Sequence, residues 1–132
     1  MDELQEEFEK LIDAVKKSHK FCPWTKKETL DSYYKHILSE AQEIKEAVEK
    51  KDYENLKGEL GDAIWDALMM AQIAENNGHF KVAEVLKSIV DKMKRRKPYI
   101  FEGRTVTIEE AWRIWKEVKA KEKSAGQATP LP

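Results

Sequence analysis

Four acidic residues in the middle of the sequence have the spacing of a metal-binding site. Glu40 and Glu43 are three residues apart, and so are Glu59 and Asp62. Residues three apart lie side by side on one face of a helix. The two cross pairs, 40 with 62 and 43 with 59, share a midpoint at residue 51. An antiparallel pair of helices that turns at this midpoint would therefore bring all four carboxylates together.

These carboxylates lie on the apolar side of their helices. Glu40 falls within a stripe that contains Ile37 and Ile44, and Glu59 is next to Leu60. Ionised carboxylates held together away from water repel one another and lose hydration, so a cation has to neutralise them. Ligands that are all oxygen suit Mg²⁺, with Mn²⁺ as the second candidate. A single Glu-x-x-Glu pair is usually a solvated helix face, but two pairs in register predict a metal site.

A basic segment follows later in the chain. Residues 81–97 contain seven basic and two acidic side chains, whereas residues 39–66 contain nine acidic and four basic ones. A polyphosphate substrate requires both kinds of site, because metal ions bridge phosphate oxygens while Arg and Lys neutralise the remaining charge. Lys92 and Arg96 are four apart on one helix face and are the preferred phosphate ligands. Lys94 and Lys97, also at the end of this helix, are expected only to complement the helix dipole.

The elements that position these residues are predicted to be helices. The sequence is rich in Ala, Leu, Glu and Lys, and no proline interrupts it between Trp24 and Lys97. The fold class is therefore all-α, a helical bundle with a central antiparallel helix hairpin. Thr25 with Glu28 fits a capping box for the second helix, and Thr29 is a rival cap. The expected helices cover about residues 2–19, 25–50, 53–76, 80–97 and 108–123, with an extended stretch from Pro98 to Gly103.

Length and composition limit the class of protein. The chain has 132 residues, of which 24 are basic and 25 acidic, and 41% are hydrophobic. These values predict one compact domain over residues 1–123, followed by a disordered tail over residues 124–132. No apolar run is long enough to span a membrane, and the acidic N-terminus is no signal peptide, so a cytoplasmic protein is expected. The balanced charge gives no reason to expect nucleic-acid binding.

The third predicted helix suggests an oligomer. Residues 63–74 are apolar on nearly every face, and such a helix has to be enclosed on all sides. A homodimer with a four-helix-bundle core is the preferred prediction. The alternative is a central helix that is wrapped by its own neighbours.

Several motifs together resemble one known family. The chain is similar to the MazG-like nucleoside triphosphate pyrophosphohydrolases from about Phe8 to Glu122. The matching pieces are Cys22-Pro23-Trp24, Glu40-x-x-Glu43, Glu59-Leu60-Gly61-Asp62, Lys92-x-x-Arg95-Arg96-x-Pro98-x-x-Phe101 and Trp115-x-x-x-Lys119.

The resemblance implies an all-α dimer that cleaves a nucleoside triphosphate to a monophosphate and pyrophosphate in the presence of Mg²⁺. By the motif match, Glu40, Glu43, Glu59 and Asp62 would be the metal ligands and the catalytic residues. The substrate-binding residues would be those that hold the triphosphate and those near the nucleotide: Lys92, Arg95, Arg96, Trp115 and Lys119. Water would attack the α-phosphorus, and a bound metal would lower the pKa of that water.

Three positions depart from the family pattern. Ser39 replaces the first residue of a Glu-Glu pair, Thr25 stands where Asp is usual, and Asp66 stands where Gln is common. Asp66 could add a fifth carboxylate or cap a buried network. Two other classes of function remain open. The chain could be a dimer that binds metal and nucleotide as a regulator without turnover, or its basic segment could bind nucleic acid.

Overall fold

The computed structural model describes residues 2–126, and every regular element in that range is a helix. The all-α prediction is confirmed. The helices are α1 (Glu3–Phe21), α2 (Pro23–Lys27), α3 (Leu30–Glu49), α4 (Tyr53–Asn76), α5 (Val82–Arg96), α6 (Pro98–Phe101) and α7 (Ile108–Ser124). Ser124, the first residue of the predicted tail, is the last residue of α7. Residues 127–132 of that tail lie outside the described part of the chain.

The chain divides into two compact units, Met1–Val82 and Ala83–Pro132. We call them the first and the second unit. The predicted single domain over residues 1–123 stays a prediction. Within residues 2–126 no helix has both the length and the apolar composition to cross a membrane. The expected cytoplasmic location also stays a prediction.

The first helix of the hairpin, α3, begins later in the chain than a cap at Thr25 would predict. Thr29 caps α3: its Oγ1 accepts a hydrogen bond from the Ser32 backbone N at 3.1 Å, and its own N donates to Ser32 Oγ at 2.9 Å. The capping box at Thr25 was wrong, and the rival at Thr29 was right. The reason is Pro23, which starts the separate short helix α2, so Thr25 lies inside that helix.

A tight turn makes α3 and α4 antiparallel, as the sequence predicted. The backbone N of Asp52 donates to the carbonyl of Ala47 at 3.0 Å, and that of Lys51 donates to Val48 at 3.1 Å. This pair of bonds defines a Schellman motif, which requires a left-handed residue after the helix. Lys51 takes that conformation with φ of 55°. The predicted stop of α4 is confirmed by Gly78, which has φ of 81° in an equivalent turn.

The core of the first unit is formed by α1 and α3 packed against α4. Its buried apolar residues are Val15, Tyr33, Leu68, Met69, Ala71, Ile73 and Val82. The second half of α4 is therefore enclosed by helices of the same chain, which was the alternative to a dimer. In the first half of α4, Leu60 and Ile64 are 46% and 49% exposed. This exposed apolar surface is compatible with the predicted homodimer, which stays a prediction.

The second unit contains α5 from Ala83 onward, α6 and α7. Pro98 to Gly103 was predicted to be extended, but Pro98–Phe101 forms the short helix α6. Proline fits the first position of a helix because its missing N–H has no partner there in any case. The start of α7 is confirmed, since Thr107 Oγ1 accepts a hydrogen bond from the Glu110 backbone N at 3.1 Å.

Candidate functional site

Three of the four predicted carboxylates lie together on the α3–α4 hairpin. One oxygen each of Glu40, Glu43 and Glu59 lies within 4.8 Å of the other two. Glu40 is buried, with 7% exposure, whereas Glu43 is exposed and Glu59 lies between these limits. Asp62 is exposed and is not part of this group of three. The register about residue 51 thus brings the two helices' glutamates together at one place.

The group of three carries unbalanced negative charge. The pKa of Glu40 is raised to about 7, chiefly by burial, then by its contact with Glu43 and by the charges of Glu59, Glu43 and Asp62. The pKa of Glu59 is also raised, first through its contact with Glu43. Among the described residues, Glu40 Oε1 is buried and has no hydrogen-bond partner. Such an acceptor fits a hard cation such as Mg²⁺, which prefers oxygen ligands.

Asp66 links the two helices of the hairpin instead of joining the three glutamates. Its Oδ1 accepts a hydrogen bond from the hydroxyl of Tyr33 at 3.0 Å. Tyr33 is buried on α3, and its ring contacts that of His36 with 4.8 Å between centroids. Burial raises the pKa of Asp66, while the Tyr33 hydrogen bond and nearby His36 oppose that rise. Of the two roles considered for Asp66, the structure therefore shows the buried network.

The predicted phosphate ligands Arg95 and Arg96 share one carboxylate in the second unit. Arg96 Nη2 donates to Glu122 Oε1 at 2.8 Å, and Arg95 Nε donates to Glu122 Oε2 at 2.7 Å. Arg96 is fully buried, whereas the side chain of Arg95 is 46% exposed. The two hydrogen bonds lower the pKa of Glu122, with that from Arg96 having the larger effect.

Sequence reasoning did not single out Glu122. It is 26 residues from Arg96 along the chain. The only local signal was an acidic residue within the basic end of α7, between Lys121 and Lys123. Negative charge at the end of a helix is unfavourable to the helix dipole unless a cation compensates it.

Trp115 lies beside the buried arginine. The Cζ atom of Arg96 is 4.8 Å from the centre of the Trp115 ring, and Lys97 Nζ is 5.8 Å from it. Trp115 also contributes to a groove of about 350 Å³, whose lining residues are Lys97, Tyr99, Ile108, Ala111, Trp112 and Trp115. Lys92 and Lys119, the other predicted substrate ligands, are partly buried on α5 and α7. Their roles stay predictions.

Comparison with known proteins identifies the family. A profile of the MazG nucleotide pyrophosphohydrolase domain matches residues 28–101. The chain belongs to this family. The matched residues include the whole α3–α4 hairpin and the basic end of α5, and they stop before α7, which carries Trp115 and Glu122.

Individual MazG relatives agree with this assignment. The chain is 36% identical to a crystal structure of a mazG-related protein from Thermotoga maritima, with a TM-score of 0.80 over 85% of this chain and 98% of that one. It is 31% identical over 104 residues to the nucleoside triphosphate pyrophosphohydrolase of Escherichia coli K12 and 35% identical over 111 residues to the uncharacterized protein YabN of Bacillus subtilis.

The relatives with curated descriptions are longer proteins. The aligned region covers 78% of this chain but 40% of the Escherichia coli protein, and 83% of this chain but 23% of YabN. The chain thus spans less than half the length of these two relatives.

Proposed function

We propose that this chain hydrolyses nucleoside triphosphates, ribo or deoxyribo, to a nucleoside monophosphate and pyrophosphate in a Mg²⁺-dependent reaction. The observation that carries the proposal is the group of Glu40, Glu43 and Glu59. Its three oxygens lie within 4.8 Å of one another, and a buried oxygen of Glu40 has no hydrogen-bond partner within residues 2–126. Buried polar atoms normally have a partner, so this group is suited to hold a cation.

Glu40, Glu43 and Glu59 would hold Mg²⁺, with Asp62 as the fourth carboxylate. The charge of Asp62 already acts on Glu40 and Glu59, which supports its inclusion. The chemistry that Mg²⁺ supplies in such sites is polarisation of phosphate oxygens and a lower pKa for a bound water. The hairpin's contribution is to keep the carboxylates at fixed spacing and to exclude water from Glu40.

Cationic and aromatic side chains of α5 and α7 are suited to an anionic, aromatic substrate. Lys92, Arg95 and Arg96 would neutralise the triphosphate and the pyrophosphate that leaves, because guanidinium and ammonium groups form strong hydrogen bonds with phosphate oxygens. Trp115 and Lys119 would contact the nucleoside. The groove that Trp112 and Trp115 line is apolar and of the size that small-molecule sites have.

We also propose that the chain is a homodimer through the first half of α4. Leu60 and Ile64 support this, since both are about half exposed on the helix that carries Glu59. Light scattering after size exclusion would test the proposal. A dimer that the Leu60→Lys variant converts to monomer agrees with it, whereas a monomeric wild-type protein would reject it.

The decisive experiment is a panel of ribo- and deoxyribonucleoside triphosphates with Mg²⁺, scored separately for pyrophosphate and phosphate. We expect pyrophosphate from the wild-type protein and none from Glu40→Ala or Asp62→Ala. Glu46→Gln, an exposed glutamate on the same helix, is the matched control and should retain the activity. Release of phosphate alone would contradict cleavage at the α-phosphorus.

The alternative function is that of a regulator that binds metal and nucleotide without turnover. The group of three glutamates would serve either role, so binding alone does not separate them. Mn²⁺ and nucleotide binding by a wild-type protein that releases no pyrophosphate from any substrate of the panel would favour the regulator.

A further inference from the structure

Glu122 bridges two arginines of different exposure. Its two carboxylate oxygens are divided between them, Oε1 bonding to Arg96 and Oε2 to Arg95, at 2.8 and 2.7 Å. All three residues belong to the second unit. Glu122 is itself buried. The bridge therefore fixes the orientation of one guanidinium inside the unit and of a second one at its surface.

The bond to Arg95 contributes orientation more than stability. Arg95 is 46% exposed on its side chain, so water could solvate its charge without Glu122. A cation this exposed gains little from an ion pair, and the buried Glu122 receives the larger effect from Arg96. The bond between Arg95 Nε and Glu122 does, however, restrict the plane of the guanidinium, since an Arg fork has a fixed geometry.

Donors remain without acceptors beside this bridge. Within residues 2–126, Arg96 Nε, Arg96 Nη1 and Trp115 Nε1 are buried and have no hydrogen-bond partner. Arg96 and Trp115 are in contact, with 4.8 Å between the guanidinium carbon and the ring centre. A buried N–H group without a partner is costly, and native proteins contain few of them. Two of these donors belong to Arg96 and one to Trp115, so this part of the unit combines positive charge with N–H groups that acceptor oxygens would satisfy.

We infer that Glu122 is a positioning residue for the triphosphate: it holds the buried guanidinium of Arg96 in place and orients that of Arg95, whose side chain is 46% exposed, so that the remaining N–H donors of Arg95 face phosphate oxygens. This inference rests on the proposed function, because it assigns the triphosphate to these arginines. Glu122 does not touch the substrate. It acts by leaving each arginine one orientation, which lowers the entropy lost when the phosphate binds.

The test compares Glu122→Gln and Glu122→Asp with Glu117→Gln. Gln keeps the shape but removes the charge, and Asp keeps the charge on a carboxylate that is one methylene shorter and so cannot reach both arginines. Glu117 is the matched control, because it lies on the same helix and pairs with Arg113 at the exposed surface. The measurements are kcat and KM for pyrophosphate release, Mn²⁺ affinity, binding of inorganic pyrophosphate by calorimetry, and Tm.

A positioning role predicts a fall of about 10- to 100-fold in kcat/KM for both Glu122 variants, as is found when residues that orient ligands are replaced. The loss should come mainly through a higher KM, with Mn²⁺ affinity unchanged and Glu117→Gln like wild type. A solely structural role would lower Tm and reduce kcat with the folded fraction while KM stayed constant, and that result would overturn the inference. If Glu122→Gln does not fold, KM of Glu122→Asp decides in the same way.

Pyrophosphate binding separates this inference from the proposed function. If the wild-type protein hydrolyses no nucleotide, the proposed function fails, and the inference then stands only if Glu122→Gln binds pyrophosphate about tenfold more weakly than wild type. Equal binding, or no binding by either protein, overturns it. If turnover is normal in wild type and in both Glu122 variants, the proposed function stands and the inference falls.

Discussion

Replacing Glu40 by Gln should stabilise the metal-free protein at alkaline pH while removing its activity. Glu40 is buried beside Glu43 and Glu59, and its Oε1 has no hydrogen-bond partner within the described residues. When no cation is bound, ionisation of Glu40 adds repulsion to the folded state. The amide of Gln has nearly the same shape, carries no charge and can donate a hydrogen bond to a neighbouring carboxylate.

The magnitude follows from the distances within this group. Each pair of carboxylate oxygens is no more than 4.8 Å apart. Two unit charges at that distance repel by about 1 kcal/mol in a water-like dielectric and by about 3.5 kcal/mol at an effective dielectric constant of about 20. Because Glu43 is exposed and Glu59 is partly exposed, the lower value applies to each of the two pairs that involve Glu40. We therefore expect a gain of about 2 kcal/mol in the free energy of unfolding at about pH 8.

The gain should depend on pH in a defined direction. Burial and the neighbouring charges raise the pKa of Glu40 from 4.5 to about 7 in the folded protein. A carboxyl group with a raised pKa stabilises the folded state below its ordinary pKa, and this stabilisation is lost as the pH rises through the folded pKa. The wild-type free energy of unfolding should thus contain a decrease between pH 4.5 and about 7 that Glu40→Gln lacks.

Urea unfolding in EDTA, followed by far-UV circular dichroism, measures this difference. Glu46→Gln serves as the control and should change the free energy of unfolding by less than about 0.5 kcal/mol at either pH. Mg²⁺ at about 100 times its Kd should stabilise wild type by about 2.7 kcal/mol, and Glu40→Gln by less. The reasoning is refuted if Glu40→Gln is no more stable than wild type at about pH 8, or if its advantage is equally large at about pH 5.

Three further predictions concern the hairpin and can be checked by the same unfolding assay. Tyr33→Phe should cost about 1 to 3 kcal/mol, because it leaves the partly buried Asp66 without its donor; an equal cost in the Asp66→Ala background would contradict this. Lys51→Gly should gain about 1 kcal/mol, since Lys51 has φ of 55°, and Gly78→Ala, at φ of 81°, should lose a similar amount. A destabilised Lys51→Gly would show that its side chain outweighs the backbone strain. Thr29→Ala should cost about 1 kcal/mol through loss of the α3 cap, and no change would mean that Ser32 alone suffices.

The hairpin and its three glutamates could be predicted because their determinants are local. A helix places residues three apart on one face, and a short turn makes the register of two helices symmetrical about its centre. The spacing of Glu40, Glu43 and Glu59 about residue 51 therefore predicted that the three carboxylates lie together. Asp62 obeys the same spacing but is exposed and lies outside the group of three. Periodicity assigns a helix face and does not determine how far a side chain reaches.

The surroundings of Arg96 could not be predicted in this way. Arg96 was expected to be a phosphate ligand because it is four residues from Lys92, yet its side chain is fully buried against Glu122 and Trp115. Those partners are on α7. Pairing between helices so far apart in sequence depends on tertiary packing, which produces no periodic pattern in the sequence. The same limit explains the short helices at Pro23 and Pro98, where one residue decides between a turn of helix and an extended segment.

The first unit has clustered carboxylates and the second has N–H donors without acceptors, and a last prediction follows from these two observations. In the first unit Glu40, Glu43 and Glu59 need positive charge, and in the second unit Arg96 and Trp115 need acceptors. A metal ion satisfies the first set, a phosphate satisfies the second, and a metal-bound triphosphate contains both groups. If one such complex is the substrate, Mg²⁺ and nucleotide must each raise the affinity for the other by the same factor, because coupling between two ligands is reciprocal.

Calorimetry on Asp62→Ala would show the origin of that coupling. Nucleotide should bind this variant without metal as it binds wild type, because the donors of the second unit are unchanged, but added Mg²⁺ should no longer strengthen the binding. Wild-type affinities for Mg²⁺ and for nucleotide that do not depend on each other would mean that the two sets of residues serve different ligands. In that case the acidic group is a metal site that does not act on the nucleotide, and the proposal that a metal-bound triphosphate is the substrate is wrong.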